Sequence, residues 1–169
     1  MNKYELTDET KVFYGVTLHR IRALTAVGVL AAAGQLGGWV ESEKNLEQSG
    51  DAWVYGNARV SGDAWVYGNA RVSGNAQVSG DAWVSKTRHY LTVGPVGSED
   101  RTVTICRTRA DDTTGHYVQA GCWAGTVDQL AERVASAWPD LSEKKRTRYR
   151  AEYEAVIALA RPRIERWVK

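Results

Sequence analysis

The chain has 169 residues, of which 43% are hydrophobic and 25% charged, and its formal net charge is +2. This length and composition suffice for one main core or two small ones, and so small a net charge does not by itself indicate a strongly acidic or basic partner. Because the longest apolar run, Ala26 to Val40, is too short and glycine-rich to span a bilayer, and the first residues lack a signal-peptide core, we expect a cytoplasmic protein with no membrane partner.

Residues 1–35 are predicted to form short strands and turns. The segment Val16-Thr-Leu-His-Arg-Ile-Arg-Ala-Leu24 alternates apolar and polar positions imperfectly, as a partly buried strand does. Stacked-strand structures need a cover at each end. We therefore expect this segment to cap the repeats that follow.

Residues 36–85 contain a six-residue repeat, from Ala-Trp-Val-Tyr-Gly-Asn at 52–57 to Ala82-Trp-Val84. A β-branched valine between two variable residues indicates a short strand with the valine pointing inward, and the Gly-Asn or Gly-Asp pair beside it supplies a corner. Three such corners close a triangular coil of about eighteen residues. The repeat predicts a mainly β fold built on a short parallel β-helix of about three coils.

One irregularity interrupts the repeat near its start. Leu46 and Val54 are eight positions apart rather than six. We expect the two additional residues to form a bulge or loop near Glu47-Gln-Ser49.

Residues eighteen apart are predicted to stack, with Trp65 under Trp83, Trp53 under Arg71 and Arg59 under Gln77. Because these side chains flank the inward valines, strand alternation sends them outward. Large exposed apolar patches usually mark contact sites. The cover is either the chain's own flanking segments, a second copy, or a partner. The candidate binding residues on the solenoid face are Trp53, Tyr55, Arg59, Trp65, Tyr67, Arg71 and Trp83.

Residues 86–169 are predicted to form an α+β module of three strands and two helices. The strands are expected at 90–93, 103–106 and 117–120, with a hairpin loop at 110–115 between the last two. Thr126-Val-Asp-Gln129 has the pattern of a capping box and opens a helix that Pro139 ends. The second helix runs from about 142 to 168, and Pro162 is expected to kink or interrupt it.

The second predicted helix has an apolar stripe and a basic face. A basic face with aromatic neighbours is a candidate for contact with nucleic-acid phosphates, although charged helix faces are usually only solvated. Nucleic acid is therefore a secondary partner hypothesis. The basic residues are Lys144, Lys145, Arg146, Arg148, Arg150, Arg161, Arg163, Arg166 and Lys169.

Two glycine-containing segments, 94–98 and 121–125, suggest a candidate anion pocket. The second precedes the capped helix, so backbone N–H groups of both segments are placed to converge on an anion at the helix N-terminus. Alternatively, the glycines only permit turns. Cys106 is expected to be buried, and Cys122 is either a packed thiol or one activated by the helix. The candidate pocket residues are Ser98, Arg101, Arg107, Arg109, Gly121, Cys122, Trp123 and Thr126.

Several segments resemble the uncharacterised hexapeptide-repeat proteins of bacteriophages and prophages, which are often labelled acyltransferases or polymer-forming proteins. The resemblance covers most of the chain and implies a left-handed β-helix in a homo-oligomer, with a trimer preferred over a dimer. The residues that carry it are Leu36-Gly-Gly-Trp39-Val-Glu-Ser-Glu-Lys-Asn-Leu46 with the Ala-Arg-Val-Ser-Gly repeats, Lys3 to Lys11, Leu18 to Ala23, Val93 to Ser98 and Gly121 to Thr126.

The sequence favours a non-enzymatic binding protein over an enzyme. Hexapeptide acyltransferases resemble one another in having a catalytic histidine on a loop near the coil, whereas His19, His89 and His116 all lie outside the repeats. We expect no catalytic residue, cofactor or metal. The viral resemblance implies a protein that sequesters a host protein or a nucleotide signal, in the setting of anti-phage defence. The alternatives are an acyltransferase and a structural assembly protein.

Overall fold

A computed structural model describes residues 2–109 and 115–168 of the chain. This part of the protein is mainly β. The strands are β1 (Tyr4–Phe13), β2 (Val16–Ala23), β3 (Leu36–Val40), β4 (Trp53–Val54), β5 (Arg59–Val60), β6 (Trp65–Val66), β7 (Arg71–Val72), β8 (Gln77–Val78), β9 (Trp83–Val84), β10 (Tyr90–Val96), β11 (Arg101–Arg107), β12 (His116–Ala120) and β13 (Trp123–Gly125). The helices are α1 (Val127–Ser136) and α2 (Glu143–Val168), and 3₁₀ turns span Glu43–Asn45 and Thr87–His89.

The repeats form parallel two-residue strands that stack as the sequence predicts. β4 pairs with β7, β5 with β8 and β6 with β9, and each pair joins residues eighteen positions apart. The repeat valines and alanines are at most 1% exposed and form the core between the strands. Corner glycines such as Gly56, with φ of +65°, adopt the left-handed conformation that glycine tolerates best. The predicted solenoid register is therefore confirmed.

The additional pair of residues lies where the spacing predicts it. Val40 pairs with Val60 and Leu46 with Val66, both twenty positions apart, whereas Trp53 pairs with Arg71 at eighteen. The register therefore changes between Leu46 and Trp53. Within this stretch the Gln48 side chain accepts hydrogen bonds from the backbone N–H groups of Lys3 and Tyr4, at 2.9 and 3.3 Å.

The N-terminal hairpin extends one sheet of the solenoid. β1 and β2 pair antiparallel, β2 pairs with β3, and the sheet order is β1-β2-β3-β5-β8. Tyr4 is fully buried, and its hydroxyl donates a 2.7 Å hydrogen bond to the Leu46 carbonyl. Burial of Tyr4 raises the pKa of its phenol. The N-terminal segment thus packs against the solenoid core as well as lengthening a sheet.

A buried asparagine joins the first coil to the next. Asn45 is 0% exposed. Its side-chain amide donates to the carbonyls of Gly62 and Ala64 at 3.0 and 2.9 Å, and its oxygen accepts from the backbone N–H of Ser42 at 2.9 Å. Through these bonds, one side chain satisfies backbone groups of two successive coils at a corner.

The C-terminal sheet covers the last coil of the solenoid. Its order is β10-β11-β12-β13, and the Thr104 hydroxyl accepts a 3.0 Å hydrogen bond from the Gln77 backbone N–H. Side chains of β11 alternate between two cores: Cys106 packs in the solenoid core, and Ile105 packs with α1 and α2 in the second core. Strand alternation therefore allows one strand to join both cores.

The C-terminal segment differs from the prediction in two respects. A strand that was not predicted, β13, pairs with β12, so the sheet has more strands than the expected three. α2 continues through Pro162 because apolar anchors lie on both sides of it: Ala160 is buried, and Ile164 and Trp167 pack against the second core. The expected interruption is therefore wrong.

The capping box is confirmed: the Thr126 hydroxyl accepts from the Gln129 N–H at 3.2 Å, and the Gln129 side chain accepts from the Thr126 N–H at 2.9 Å. Most of the predicted hairpin loop, residues 110–114, lies outside the described residues, as does Lys169. None of the helices described is long and apolar enough to cross a membrane.

Candidate binding site

The residues predicted for one outward face lie on three different faces of the solenoid. Trp53 and Arg71 belong to the β4–β7 pair, Arg59 to β5–β8, and Trp65 and Trp83 to β6–β9. Each pair forms a separate wall, and a different part of the chain packs against each one. The predicted solenoid face is therefore divided into three environments.

Trp53 is buried and is therefore not the accessible binding residue that the sequence predicts. It is 0% exposed, and the Tyr4 ring packs edge-on against its indole with centroids 6.4 Å apart. The Lys3 ammonium donates a 2.8 Å hydrogen bond to the Ala52 carbonyl beside it, and burial lowers the pKa of Lys3. The N-terminal segment covers this indole, which is the physical reason for the correction.

Arg59 is covered in a comparable way. Its guanidinium lies 3.7 Å from the centroid of the Phe13 ring at the tip of the N-terminal hairpin, and burial lowers its pKa. The hairpin tip thus covers part of this predicted binding residue, which is half-buried. By contrast, Tyr55 and Arg71 on the β4–β7 wall are exposed, as predicted.

Three rings on the β6–β9 wall form one cluster, which we call the aromatic patch: Trp65, Tyr67 and Trp83. The Trp65 and Tyr67 rings stack with centroids 4.1 Å apart and an interplanar angle of 14°. Trp83 meets both rings edge-on, at 5.4 and 6.0 Å. All three side chains are half-buried. The eighteen-residue stacking that places Trp65 under Trp83 creates this patch.

Two arginines from the end of β11 and the segment after it flank the aromatic patch. Arg107 donates hydrogen bonds of 3.3 Å to the Tyr67 hydroxyl and to the Trp83 carbonyl. The Arg109 guanidinium lies 4.8 Å from the centroid of the Trp83 ring, within range of a cation–π interaction. Both arginines were predicted for the anion pocket. The structure places them here because β11 crosses the last coil.

A buried histidine lies beside the aromatic patch. The Ser85 hydroxyl and His89 Nδ1 are 3.1 Å apart. Burial is the main cause that lowers the pKa of His89 to about 4, and the cations Arg107, Arg88 and Lys86 lower it further. Burial and these three cations therefore all favour the neutral form of the imidazole.

Four of the predicted anion-pocket residues do line one cavity of about 400 Å³: Ser98, Arg101, Cys122 and Trp123. The Arg101 guanidinium is already hydrogen-bonded to Glu99, and it donates a 3.0 Å hydrogen bond to the Tyr14 hydroxyl. Gly121 is buried directly against this guanidinium. Arg101 is therefore largely neutralised by groups of the chain itself.

The backbone donors proposed for the anion are also in use. His116 Nε2 accepts the Val127 N–H at 2.9 Å, and the capping box takes the N–H groups of Thr126 and Gln129. The Glu152 carboxylate accepts the Gly97 N–H at 2.8 Å, where the pocket was expected to present a free donor. The prediction that both segments converge on an anion at the N-terminus of α1 is therefore wrong.

Sequence reasoning missed most of the other residues that line this cavity, among them Arg133 and Trp138. The sequence could have indicated Arg133, because this residue lies three positions after Leu130, and therefore on a neighbouring part of the same helix face, in a helix whose start was predicted. Trp138 lies after the end of α1 and adopts a φ of +58°, which no local pattern indicates. Its indole N–H donates a 2.9 Å hydrogen bond to the Ser98 hydroxyl.

The two cysteines lie in different environments. Cys106 is buried, which raises the pKa of its thiol, and Cys122 is exposed. Within residues 2–109 and 115–168, no group of three or more His, Cys, Asp or Glu side chains is placed to hold a metal ion.

Comparison with known protein families agrees with the architecture of the repeats. The family model described as the YdcK β-solenoid repeat matches residues 52–68 and, in an overlapping second match, residues 64–80. No curated protein matches the chain significantly. Both matches lie within the stacked strands of the repeat region. The chain is therefore a β-solenoid repeat protein.

Proposed function

We propose that this protein is a non-enzymatic binding protein whose recognition surface is the aromatic patch with Arg107 and Arg109. The observation that supports it is a cluster of three half-buried rings held in fixed mutual geometry and flanked by two arginines. Tryptophan, tyrosine and arginine are the residues most enriched at the energetic centres of protein interfaces.

The geometry of the patch favours tight binding of a partner. Stacking of Trp65 on Tyr67 and the Arg107 hydrogen bond to Tyr67 restrict the side chains before binding. A surface that is already ordered loses less conformational entropy when a partner binds. A protein partner is the best match, because the patch lies on a solenoid wall and is not enclosed.

We further propose that the partner is a component of a bacterial host cell, sequestered in the cytoplasm by a phage-encoded protein. This setting relies on the resemblance to phage hexapeptide-repeat proteins. The same resemblance supports a left-handed solenoid of about three coils and a homo-oligomer, with a trimer preferred over a dimer. On the β4–β7 wall, Trp53 is covered by the N-terminal segment, but Tyr55 and Arg71 are exposed and available for self-association.

A nucleotide signal is the second candidate ligand, and the cavity beside α1 favours it. Arg133 provides a cation there, and its guanidinium lies 6.0 Å from the centroid of the Trp123 ring. Trp138 and Tyr153 contribute further aromatic surface to the same cavity. Aromatic rings beside a guanidinium suit a base and a phosphate.

An acyltransferase is the enzymatic alternative. The surroundings of His89 and His116 argue against a catalytic histidine of the kind that such an enzyme needs. His89 has a pKa lowered to about 4 by burial and by neighbouring cations, so it is a weak general base at neutral pH. His116 accepts a backbone hydrogen bond through Nε2. Saturable binding of acetyl-coenzyme A would favour the enzyme.

The proposal is tested by capture of a host component on tagged protein, followed by affinity measurement with the purified partner. We expect Trp65→Ala/Trp83→Ala to weaken binding by at least about 100-fold, because truncating two central anchors removes most of the apolar contact. Tyr55→Ala is the matched control: Tyr55 and Tyr67 occupy the same place in identical hexapeptides, but Tyr55 lies on another wall.

Retention of the partner by the tryptophan double variant would contradict the proposal. Light scattering then measures the molar mass of both variants, which shows whether either one has lost self-association. If the double variant loses only self-association and captures the partner as the wild type does, the patch is an interface between copies.

A further inference from the structure

Several basic residues of α2 make bonds within the chain, so only part of its basic face is a candidate surface for binding nucleic acid. Arg148 pairs with Glu152 at 3.2 Å and Arg161 with Asp128 at 2.9 Å. Arg150 donates a 2.7 Å hydrogen bond to the Ala135 carbonyl. These guanidiniums are already engaged, so the basic face predicted from the sequence is not one uniform binding surface.

Three other arginines, which we call the arginine triad, converge at the C-terminal end of α2. Arg163 and Arg166 lie one turn apart on α2, and Arg88 comes from the 3₁₀ turn after β9. Together with Trp167 they line a cavity of about 480 Å³. In the part of the chain that the structure describes, none of the three guanidiniums is hydrogen-bonded or ion-paired to a carboxylate. An anion bound in the cavity would offset the repulsion among these like charges.

The ring of Trp167 lines the same cavity as the triad and is anchored to Arg88. Its indole N–H donates a 2.8 Å hydrogen bond to the Arg88 carbonyl, and the side chain is half-buried. Lys86, Arg88 and Arg107 all lie close enough to His89 to lower its pKa as positive charges, after the larger effect of burial. The cavity therefore combines several cations with one oriented aromatic ring.

We propose that the arginine triad binds the phosphates of a single-stranded nucleic acid while a base stacks on Trp167. This site is separate from the aromatic patch, and the inference does not depend on the proposed partner there. Three guanidiniums match consecutive backbone phosphates better than the single phosphate of a mononucleotide. A single strand presents the faces of its bases, whereas a duplex keeps them stacked inside.

The test is fluorescence anisotropy of a fluorescein-labelled oligothymidylate of about twelve nucleotides, titrated with full-length protein over a range of salt concentrations. Three phosphate contacts predict a slope of log affinity against log salt of about −2. Arg163→Ala/Arg166→Ala is expected to weaken binding at least about tenfold and to reduce the slope to about −0.7. Trp167→Ala is expected to weaken binding about tenfold with the slope unchanged.

A charge-matched control separates a local site from general attraction. Arg148→Ala/Arg161→Ala removes the same number of charges from α2, but both of its arginines are ion-paired in the structure. We expect this control to change the affinity less than about threefold. Circular dichroism of each variant checks that the fold is retained.

Three results would overturn the inference. The first is no change in anisotropy at low salt with protein up to roughly 100 μM, the range of even weak non-specific binding. The second is an equal loss of affinity in the control pair. The third is competition by thymidine monophosphate or by a duplex as effective as that by the single strand. These experiments do not use the tryptophan variants of the aromatic patch. A negative result for the arginine triad therefore does not contradict the proposed function of that patch.

Discussion

Trp53→Ala is expected to lower the free energy of unfolding by about 3–5 kcal/mol, the range for truncating a fully buried tryptophan. The indole is 0% exposed and packs against Tyr4 within the solenoid core. Removing it leaves a cavity between the N-terminal segment and the β4–β7 wall. Urea unfolding followed by circular dichroism measures the loss.

Trp65→Ala provides an unusually close control. Residues 52–57 and 64–69 have the same sequence, Ala-Trp-Val-Tyr-Gly-Asn, so the two substitutions differ only in tertiary surroundings. Trp65 is half-buried in the aromatic patch, and we expect a cost of about 1–2 kcal/mol. Trp53→Phe is expected to cost less than Trp53→Ala because it retains a ring and removes a buried indole N–H that has no acceptor. Equal losses for Trp53→Ala and Trp65→Ala would contradict the buried position of Trp53.

Asn45→Ala is expected to cost about 2–4 kcal/mol, because the substitution removes a fully buried side chain that bonds one buried and two partly buried backbone groups. The carbonyls of Gly62 and Ala64 and the N–H of Ser42 would all lose a hydrogen bond to this side chain. For a protein of this size, such a loss corresponds to a decrease in Tm of roughly 5–15 °C.

Asn75→Ala is the matched control for the asparagine prediction. Asn75 is an exposed corner residue of the repeat, and its substitution should change stability by less than about 0.5 kcal/mol. Differential scanning calorimetry of both variants compares a buried corner with an exposed one. An Asn45→Ala variant as stable as the Asn75→Ala variant would show that the first coil does not depend on these bonds.

The stacking of the solenoid could be predicted from the sequence because it depends on local chemistry. A valine, a small alanine and a Gly-Asn or Gly-Asp corner recur in every unit, and the register change after Leu46 follows from counting residues. The β13 strand could not be predicted in this way. It has only three residues, Trp123–Gly125, two of them small, and it exists because β12 offers an edge to pair with.

In the candidate site, the repeat sequence alone does not determine whether a residue is buried or accessible. Trp53 and Trp65 occupy identical hexapeptides, so no local pattern distinguishes the buried residue from the one in the aromatic patch. The N-terminal segment makes the difference, through long-range contacts of Tyr4 and Lys3. Similarly, Arg107 lies at the aromatic patch and not in the predicted anion pocket, because β11 crosses the end of the solenoid.

The most direct test of the solenoid register is disulfide trapping between engineered corner cysteines in a Cys122→Ser background, which removes the exposed native thiol. The corners at Gly56 and Gly74 lie against each other, and neighbouring strands about 4.8 Å apart bring stacked residues within disulfide range. We expect Asn57→Cys/Asn75→Cys, eighteen positions apart, to form an intramolecular disulfide that peptide mass spectrometry detects. Asn57→Cys/Asn69→Cys, twelve positions apart and on different corners, should not form one; rapid disulfide formation in this second pair and none in the first would contradict the stacked register.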